Sequence, residues 1–254
     1  FWRKIKSILS NSKYKASKWK SIPNKYYNKL MEMPEYYIDG YNNQYMIEEH
    51  HFLIQTVRIP NTDIPSLRKI IQVALSSNCN LLCPGCQRTD WDSSRKLNPL
   101  ITKNIYLDKQ ILLDVIQNKT SNSLEKIEFV GLIDDALAYP WLLELLQEML
   151  KVRPDLNIEF DTNASLRTPN YFKKLAIILN KFSKHFVNFS VDGLEDTNHI
   201  YRVGSDWKKI MGNAEAFIKA GGHANWKFIV FPWNAHQEKK IKKLAKTMGF
   251  HNIV

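Results

Sequence analysis

Cys79, Cys83 and Cys86 are the only cysteines in this 254-residue chain, and they fall within eight residues of one another. A disulfide framework spreads an even number of cysteines through a secreted chain, whereas a tight, odd cluster points to metal or redox chemistry. The segment VALSSNCNLLCPGCQRTD runs from an apolar strand pattern into a loop with the spacing C-x3-C-x2-C. Three thiolates on so short a loop can converge on one face of a cube-shaped iron–sulfur cluster, ligate three of its irons and leave the fourth open. An open iron is where a substrate or cofactor can bind. The competing chemistry is a Cys3His zinc site with a histidine such as His185 or His223 as fourth ligand. Structural zinc more often uses paired C-x2-C knuckles, and no histidine stands at a ligand-like spacing beside this loop.

The remaining sequence has to position that loop. From Lys69 onward, short β-branched apolar runs at 70–75, 127–131, 157–161, 186–191, 226–231 and 251–254 alternate with amphipathic stretches at 108–118, 140–152, 169–182, 207–220 and 236–248. Pro140 and Pro169 fit first-turn helix positions, and Gly221 and Gly249 fit helix stops. Strands alternating with helices predict a parallel α/β architecture, either an open doubly wound sheet or a barrel. Sites in such folds form at the carboxyl ends of the strands, and the cysteine loop follows the first of these strands. Residues 1–66 read as an N-terminal extension rich in Lys, Asn and Tyr, with a strand pattern at 51–58. Residues 67–254 read as the core domain.

Composition narrows the classes further. At 44% hydrophobic and 24% charged residues, the chain sits near the globular average, which argues against collagen and extended disorder. No apolar run approaches the roughly 18 residues that cross a bilayer, no signal-peptide pattern is present, and a cytoplasmic location is expected. The net charge of +11 is uneven: the first 30 residues hold nine Lys and Arg and no acid, so the remainder is nearly balanced at 27 basic against 25 acidic residues. The basic character therefore belongs to a leader, which makes nucleic acid a weak expectation as partner of the whole protein. Trp2, Ile5, Ile8, Leu9, Tyr14 and Trp19 interleave with its lysines. That mix suits an anionic membrane surface, RNA or an acidic partner, and equally a solvated helix packed on the body.

Four motifs in order carry a family resemblance. CNLLCPGC is followed by FVGLIDDALAYP, by DTNASL and by NFSVDGLEDTNHIYRVGSDWKKIMGNAEAFIKAGG, each at the end of a successive strand pattern. Together they resemble the radical S-adenosylmethionine (SAM) superfamily, in its branch with SPASM or twitch-type extensions, from about residue 70 to 254. Asp135 occupies the acidic place of the second motif; Asp134 and Ala136 stand where the family often has Gly and Pro, and Ala164 where it often has Gly.

The resemblance implies a partial (β/α)6 TIM-like barrel behind a basic N-terminal extension. It implies a 4Fe-4S cluster on Cys79, Cys83 and Cys86, and SAM as the second cofactor. It further implies reductive cleavage of SAM to a 5′-deoxyadenosyl radical that abstracts a substrate hydrogen. Asp135 would accept the SAM ammonium, Ser190 and Asp192 would meet the ribose and nearby polar groups, Asn163 would orient SAM or substrate, and Arg202 would meet the SAM carboxylate. A peptide or protein is the expected substrate, with a nucleotide, sugar or small metabolite as the alternative. A flavodoxin or ferredoxin is the expected electron donor. A zinc-stabilised nucleic-acid or membrane binding module remains the reading from another class. Because no cysteine follows Cys86 and the chain stops on its last strand, a further C-terminal domain is expected to have been removed.

Overall fold

The computed structural model describes residues 69–89, 96–98, 101, 103–117, 123–131 and 133–254, together with the backbone of two strands at 44–47 and 52–57. Alternation of apolar and polar residues in the strands sets the frame. Ile71 and Val73, Ile127 and Phe129, Ile158 and Phe160, Val187 and Phe189, and Ala224 and Trp226 are buried in one continuous core. Side chains at a period of two all face the same side of a sheet, so this pattern turns one face of every strand towards the helices.

Among the described residues the sheet has eight strands in sequence order: β1 (Gln44–Ile47), β2 (Phe52–Val57), β3 (Ile70–Val73), β4 (Lys126–Phe129), β5 (Asn157–Thr162), β6 (Lys184–Ser190), β7 (Ala224–Lys227) and β8 (Asn252–Ile253). β1, β2 and β3 pair antiparallel, and from β3 to β8 every pair is parallel. The expected parallel α/β core is therefore present. The strand pattern at 51–58 coincides with β2, and the sheet continues through it to β1.

Helices return the chain between strands: α1 (Lys109–Gln117), α2 (Leu142–Val152), α3 (Pro169–Leu179), the short α4 (Asn198–Tyr201), α5 (Trp207–Lys219) and α6 (Glu238–Met248). Their starts and stops follow local chemistry. Thr168 caps α3 by accepting from the Tyr171 N–H, with Pro169 in the first turn, and Asp206 caps α5 by accepting from Lys209 N–H. Gly249 ends α6 in the left-handed conformation that glycine adopts without strain. Pro140 departs from expectation: it precedes Trp141, the cap residue of α2, and lies outside the helix. Among the described residues no helix is long and apolar enough to cross a membrane.

The amino ends of the strands carry a histidine pair. His185, at the start of β6, is 4% exposed, accepts the His223 N–H on Nε2 at 3.0 Å and stacks on the His223 ring with centroids 4.8 Å apart. Burial, assisted by His223, lowers its pKa from 6.5 to about 4. As pH falls from 6.5 towards 4, the unfolded chain takes up this proton while the folded chain resists it. The contribution is therefore fully present above that window and lost through it. Thermal denaturation across this range should show the loss in wild type, and His185→Gln, which keeps an acceptor that does not titrate, should show a flatter profile.

Candidate functional site

The cysteine loop begins where β3 ends, at the carboxyl side of the parallel strands. β3 stops at Val73, short of the predicted Leu75, because the N–H groups of Leu75 and Ser76 leave the ladder and bind Asp134 Oδ2 at 3.0 and 2.9 Å. Cys83 to Cys86 form a tight turn in which the Cys86 N–H donates to the Cys83 carbonyl at 3.1 Å. Pro84 and Gly85, with φ +81° at Gly85, occupy the central positions that suit a type II turn. The loop is stitched to its surroundings by Leu82 N–H on the Val203 carbonyl at 3.1 Å and by Asp135 N–H on the Asn78 carbonyl at 2.8 Å. Arg88, buried just past Cys86, donates through Nη1 to the carbonyls of Ser77 and Ile133, tying the loops after β3 and β4 together.

All three cysteines are free thiols; Cys83 is buried, and Cys79 and Cys86 are half-buried. Burial, followed by the Asp135 charge, pushes the Cys79 thiol up to about 12. Burial also raises Cys83, opposed by the Arg202 guanidinium and its hydrogen bond to the sulfur. Neutral thiols in such surroundings become thiolates when a cation takes the proton's place, so the donor set suits a soft metal centre.

A single zinc ion is a poor match. Among the described residues, no three His, Cys, Asp or Glu side chains converge as a mononuclear site. His185 and His223 stand at the amino ends of β6 and β7, across the sheet from the cysteine loop. A cluster makes a different demand, because it takes each sulfur on a separate iron and leaves the sulfurs farther apart than one ion would.

The residues singled out beside the cysteines lie at the ends of neighbouring strands, but most are engaged with one another. Asp135, 3% exposed, accepts from Leu137 N–H at 3.0 Å, from the Thr162 hydroxyl at 3.0 Å on both oxygens and from Asn163 N–H at 2.8 Å. It caps the 3-10 turn Ala136–Ala138 and binds the end of β5 to the end of β4. Burial raises its pKa against the pull of these donors. Asn163 donates through Nδ2 to Asn80 Oδ1 at 3.0 Å and Cys79 Sγ at 3.5 Å, while its Oδ1 accepts from Ser165.

Asp192 is fully buried. Oδ2 takes Arg202 Nε at 2.6 Å, and Oδ1 takes Ile229 N–H at 2.7 Å. Arg202 is therefore anchored at one edge, with the rest of its guanidinium towards Cys83 and over the Tyr201 ring at 5.3 Å. Ser190 ends β6, and its hydroxyl makes no hydrogen bond among the described residues.

The sequence reading passed over several supports. Thr162, Asn80 and Asn213 carry only generic polar signals, yet Asn213 is fully buried and donates to the Ala164 and Leu166 carbonyls at 2.8 and 3.1 Å. Those bonds hold Ala164 at φ +54°, a conformation that glycine reaches more easily, which accounts for the glycine expected at this place. Gly131 cannot be replaced, because a Cβ there would lie 2.2 Å from the Asp134 carbonyl oxygen. The aromatic residues in and after β7 divide: Trp226 is core, while Trp233, 38% exposed, stacks on Phe231 with centroids 4.6 Å apart. Phe231 in turn packs on Tyr201 at 4.7 Å, beside the cysteine loop.

Asp135→Ala would strand three buried donors, so it should lower unfolding free energy by roughly 3 kcal/mol or more. Chemical denaturation of the metal-free protein checks this. Unchanged stability would mean that the carboxylate is held free for a ligand instead of holding the loops.

No family model matches the sequence, and no curated protein matches it. Solved structures do. The structure of anSMEcpe with bound AdoMet superposes with a TM-score of 0.55 at 19% identity, over 72% of this chain and 50% of that one. Streptococcus suis SuiB bound to S-adenosylmethionine gives 0.56 at 15% identity, over 82% of this chain and 40% of that one. SuiB bound to the precursor peptide SuiA gives 0.56 at 15% identity, over 99% and 49%. The chain thus spans half or less of the length of these proteins. Both are radical SAM enzymes, and this chain shares their fold over the matched regions.

Proposed function

We propose that this chain is a radical SAM enzyme acting on a peptide or protein. One observation carries the reading: three free cysteine sulfurs sit on a pinned loop at the carboxyl end of β3, in this fold, beside an anchored arginine and a ring of buried hydrogen-bonding groups. A 4Fe-4S cluster held by Cys79, Cys83 and Cys86 would supply the electron that cleaves SAM to methionine and a 5′-deoxyadenosyl radical, which then takes a substrate hydrogen. The sequential order of six parallel strands supports a partial barrel around that site within residues 67–254, and β1 and β2 of the preceding segment extend the same sheet.

The chain's own residues would divide the work by what they have left to offer. Asn163 holds Cys79 in place from β5. Arg202, fixed by Asp192, places positive charge beside Cys83, which eases loss of the thiol proton and leaves its outer nitrogens for a carboxylate such as that of SAM. Ser190 offers an uncommitted hydroxyl to a ribose. Asp135 retains about one of the roughly four acceptor sites of a carboxylate, so its contact with the SAM ammonium would be a single bond added to a structural role.

The bound peptide in the SuiB structure supports a peptide substrate here over a nucleotide, sugar or metabolite. A cytoplasmic location with a flavodoxin or ferredoxin as donor fits cluster chemistry that needs a reduced compartment. The zinc-module reading is disfavoured by the position of His185 and His223.

The test is anaerobic reconstitution followed by dithionite reduction in the presence of SAM. The expected products are 5′-deoxyadenosine and methionine from wild type and none from the Cys79→Ala/Cys83→Ala/Cys86→Ala variant. No SAM cleavage by a wild-type protein that holds iron and sulfide would overturn the proposal.

A further inference from the structure

Seven buried side-chain polar atoms lack a hydrogen-bond partner among the described residues, and they divide by place and by kind. Gln72 Oε1, Asn213 Oδ1 and Asn225 Oδ1 are acceptors, and Tyr171 Oη belongs to α3. The other three, Asn78 Nδ2, Arg88 Nε and Thr89 Oγ1, can all donate. These three border the cysteine loop: Asn78 precedes Cys79, and Arg88 and Thr89 follow Cys86 closely. The Asn78 amide is oriented by its Oδ1, which accepts the Asn104 N–H at 3.0 Å, so Nδ2 is the end left to donate. A buried donor without an acceptor carries the full cost of its desolvation, and native proteins keep few of them. Three donors gathered around one loop suit an acceptor that the loop itself holds.

Arg88 adds charge to this set. At 3% exposed, it is the only buried lysine or arginine among the described residues. Nη1 donates to the Ser77 carbonyl and, at 2.6 Å, to the Ile133 carbonyl, which fixes the guanidinium at the start of the loop that carries Cys79. Carbonyl groups satisfy its hydrogen bonds but do not neutralise it. A buried cation is retained where an anion compensates it. Arg202 has that anion in Asp192. Arg88 makes no ion pair among the described residues; its bonds go to carbonyls. Asp134 feels its charge but gives Oδ2 to the Leu75 and Ser76 N–H groups, and burial pushes that carboxyl up to about 8, so near neutral pH it supplies little negative charge.

The anion that fits is the one the cysteines would hold. Three thiolates outweigh the positive charge of an iron–sulfur core, and an electron added to the cluster makes the assembly more negative still. Net charge and hydrogen bonds to the sulfurs are among the factors that set a cluster's potential. Arg88 already acts in that sense at this place: burial raises the Cys79 thiol, and the Arg88 guanidinium works against it.

We infer that Arg88 is the built-in counter-charge of the cluster, a positioning residue that acts on the cluster's charge and not on SAM or substrate, and that it favours the reduced state by raising the midpoint potential. The inference rests on the radical SAM reading for the presence of the cluster, and on the buried, unpaired guanidinium for the role of Arg88.

Reconstituted full-length wild type, Arg88→Lys and Arg88→Gln are compared in a redox titration followed by electron paramagnetic resonance without SAM, with iron and sulfide measured in each. Loss of one nearby charge in a protein interior should disfavour reduction about tenfold, which lowers a one-electron midpoint by about 59 mV. Arg88→Gln, which keeps donors and loses the charge, should show that fall. Arg88→Lys, which keeps the charge, should stay closer to wild type than to Arg88→Gln. A midpoint in Arg88→Gln that matches wild type at equal cluster content overturns the inference and leaves the radical SAM reading standing. An equal fall in both variants also overturns it, because the effect would then belong to the guanidinium's ties to the Ser77 and Ile133 carbonyls. If Arg88→Gln holds no cluster, circular dichroism of the cluster-free chains decides. A folded Arg88→Gln chain beside a cluster-holding Arg88→Lys supports the counter-charge, whereas an unfolded Arg88→Gln chain, or no cluster in either variant, overturns it. Failure of wild type to assemble any cluster is a different result: it removes the radical SAM reading, and the inference with it.

Discussion

Two adjacent buried carboxylates hold the active end of this sheet together. Asp134 binds the N–H groups that follow β3, and Asp135 binds the hydroxyl and N–H groups that end β5, while its own N–H is tied to the Asn78 carbonyl in the cysteine loop. Three chain crossings are thereby locked at one point. Burial raises both carboxyls, Asp134 to about 8, so neither would be retained there without the backbone donors that compensate it. Cys79, Asn163 and the turn at Cys83 to Cys86 take their positions from this clamp. A loop that carries three free cysteine sulfurs can then stay ordered although no regular element runs through it.

The same competition explains what could and could not be read in the sequence. Every parallel strand and its following helix were legible, because apolar alternation and helix periodicity survive in the sequence whatever the tertiary contacts. The strand ends were not. β3 was read to Leu75 and stops at Val73, since Asp134 takes the next N–H groups. The strand read at 226–231 is instead Ala224–Lys227, and beyond it the Ile229 N–H goes to Asp192 and the Phe231 N–H to Asn234. Side-chain acceptors from distant residues set those limits, and a local pattern carries no trace of them. β1 and the four-residue α4 gave no readable period.

The candidate site was legible in its position and less so in its division of labour. The cysteine spacing and strand-end motifs pointed to the carboxyl ends of the strands, and that is where these residues lie. They did not show that Asp135, Asp192 and Asn163 bind mainly to other protein groups. Thr162 and Asn213, ordinary polar residues in sequence, turn out to be what holds the Asp135 carboxylate and the left-handed Ala164. A ladder of ion pairs on the face opposite the helices was also hidden, because Lys126, Glu128, Glu159, Asp161 and Lys227 alternate with core residues in the way exposed strand residues usually do. Only the register brings them into one network facing away from the core.

The central claim is that Cys79, Cys83 and Cys86 leave one iron of a cluster open to SAM. Electron paramagnetic resonance of the reconstituted, reduced protein, recorded before and after SAM is added, addresses it most directly. The account predicts a 4Fe-4S signal whose shape shifts on SAM addition, with site-selective iron labelling placing the change at a single iron. A signal that SAM leaves unaltered, or a protein purified without oxygen that holds stoichiometric zinc and no sulfide, would contradict it.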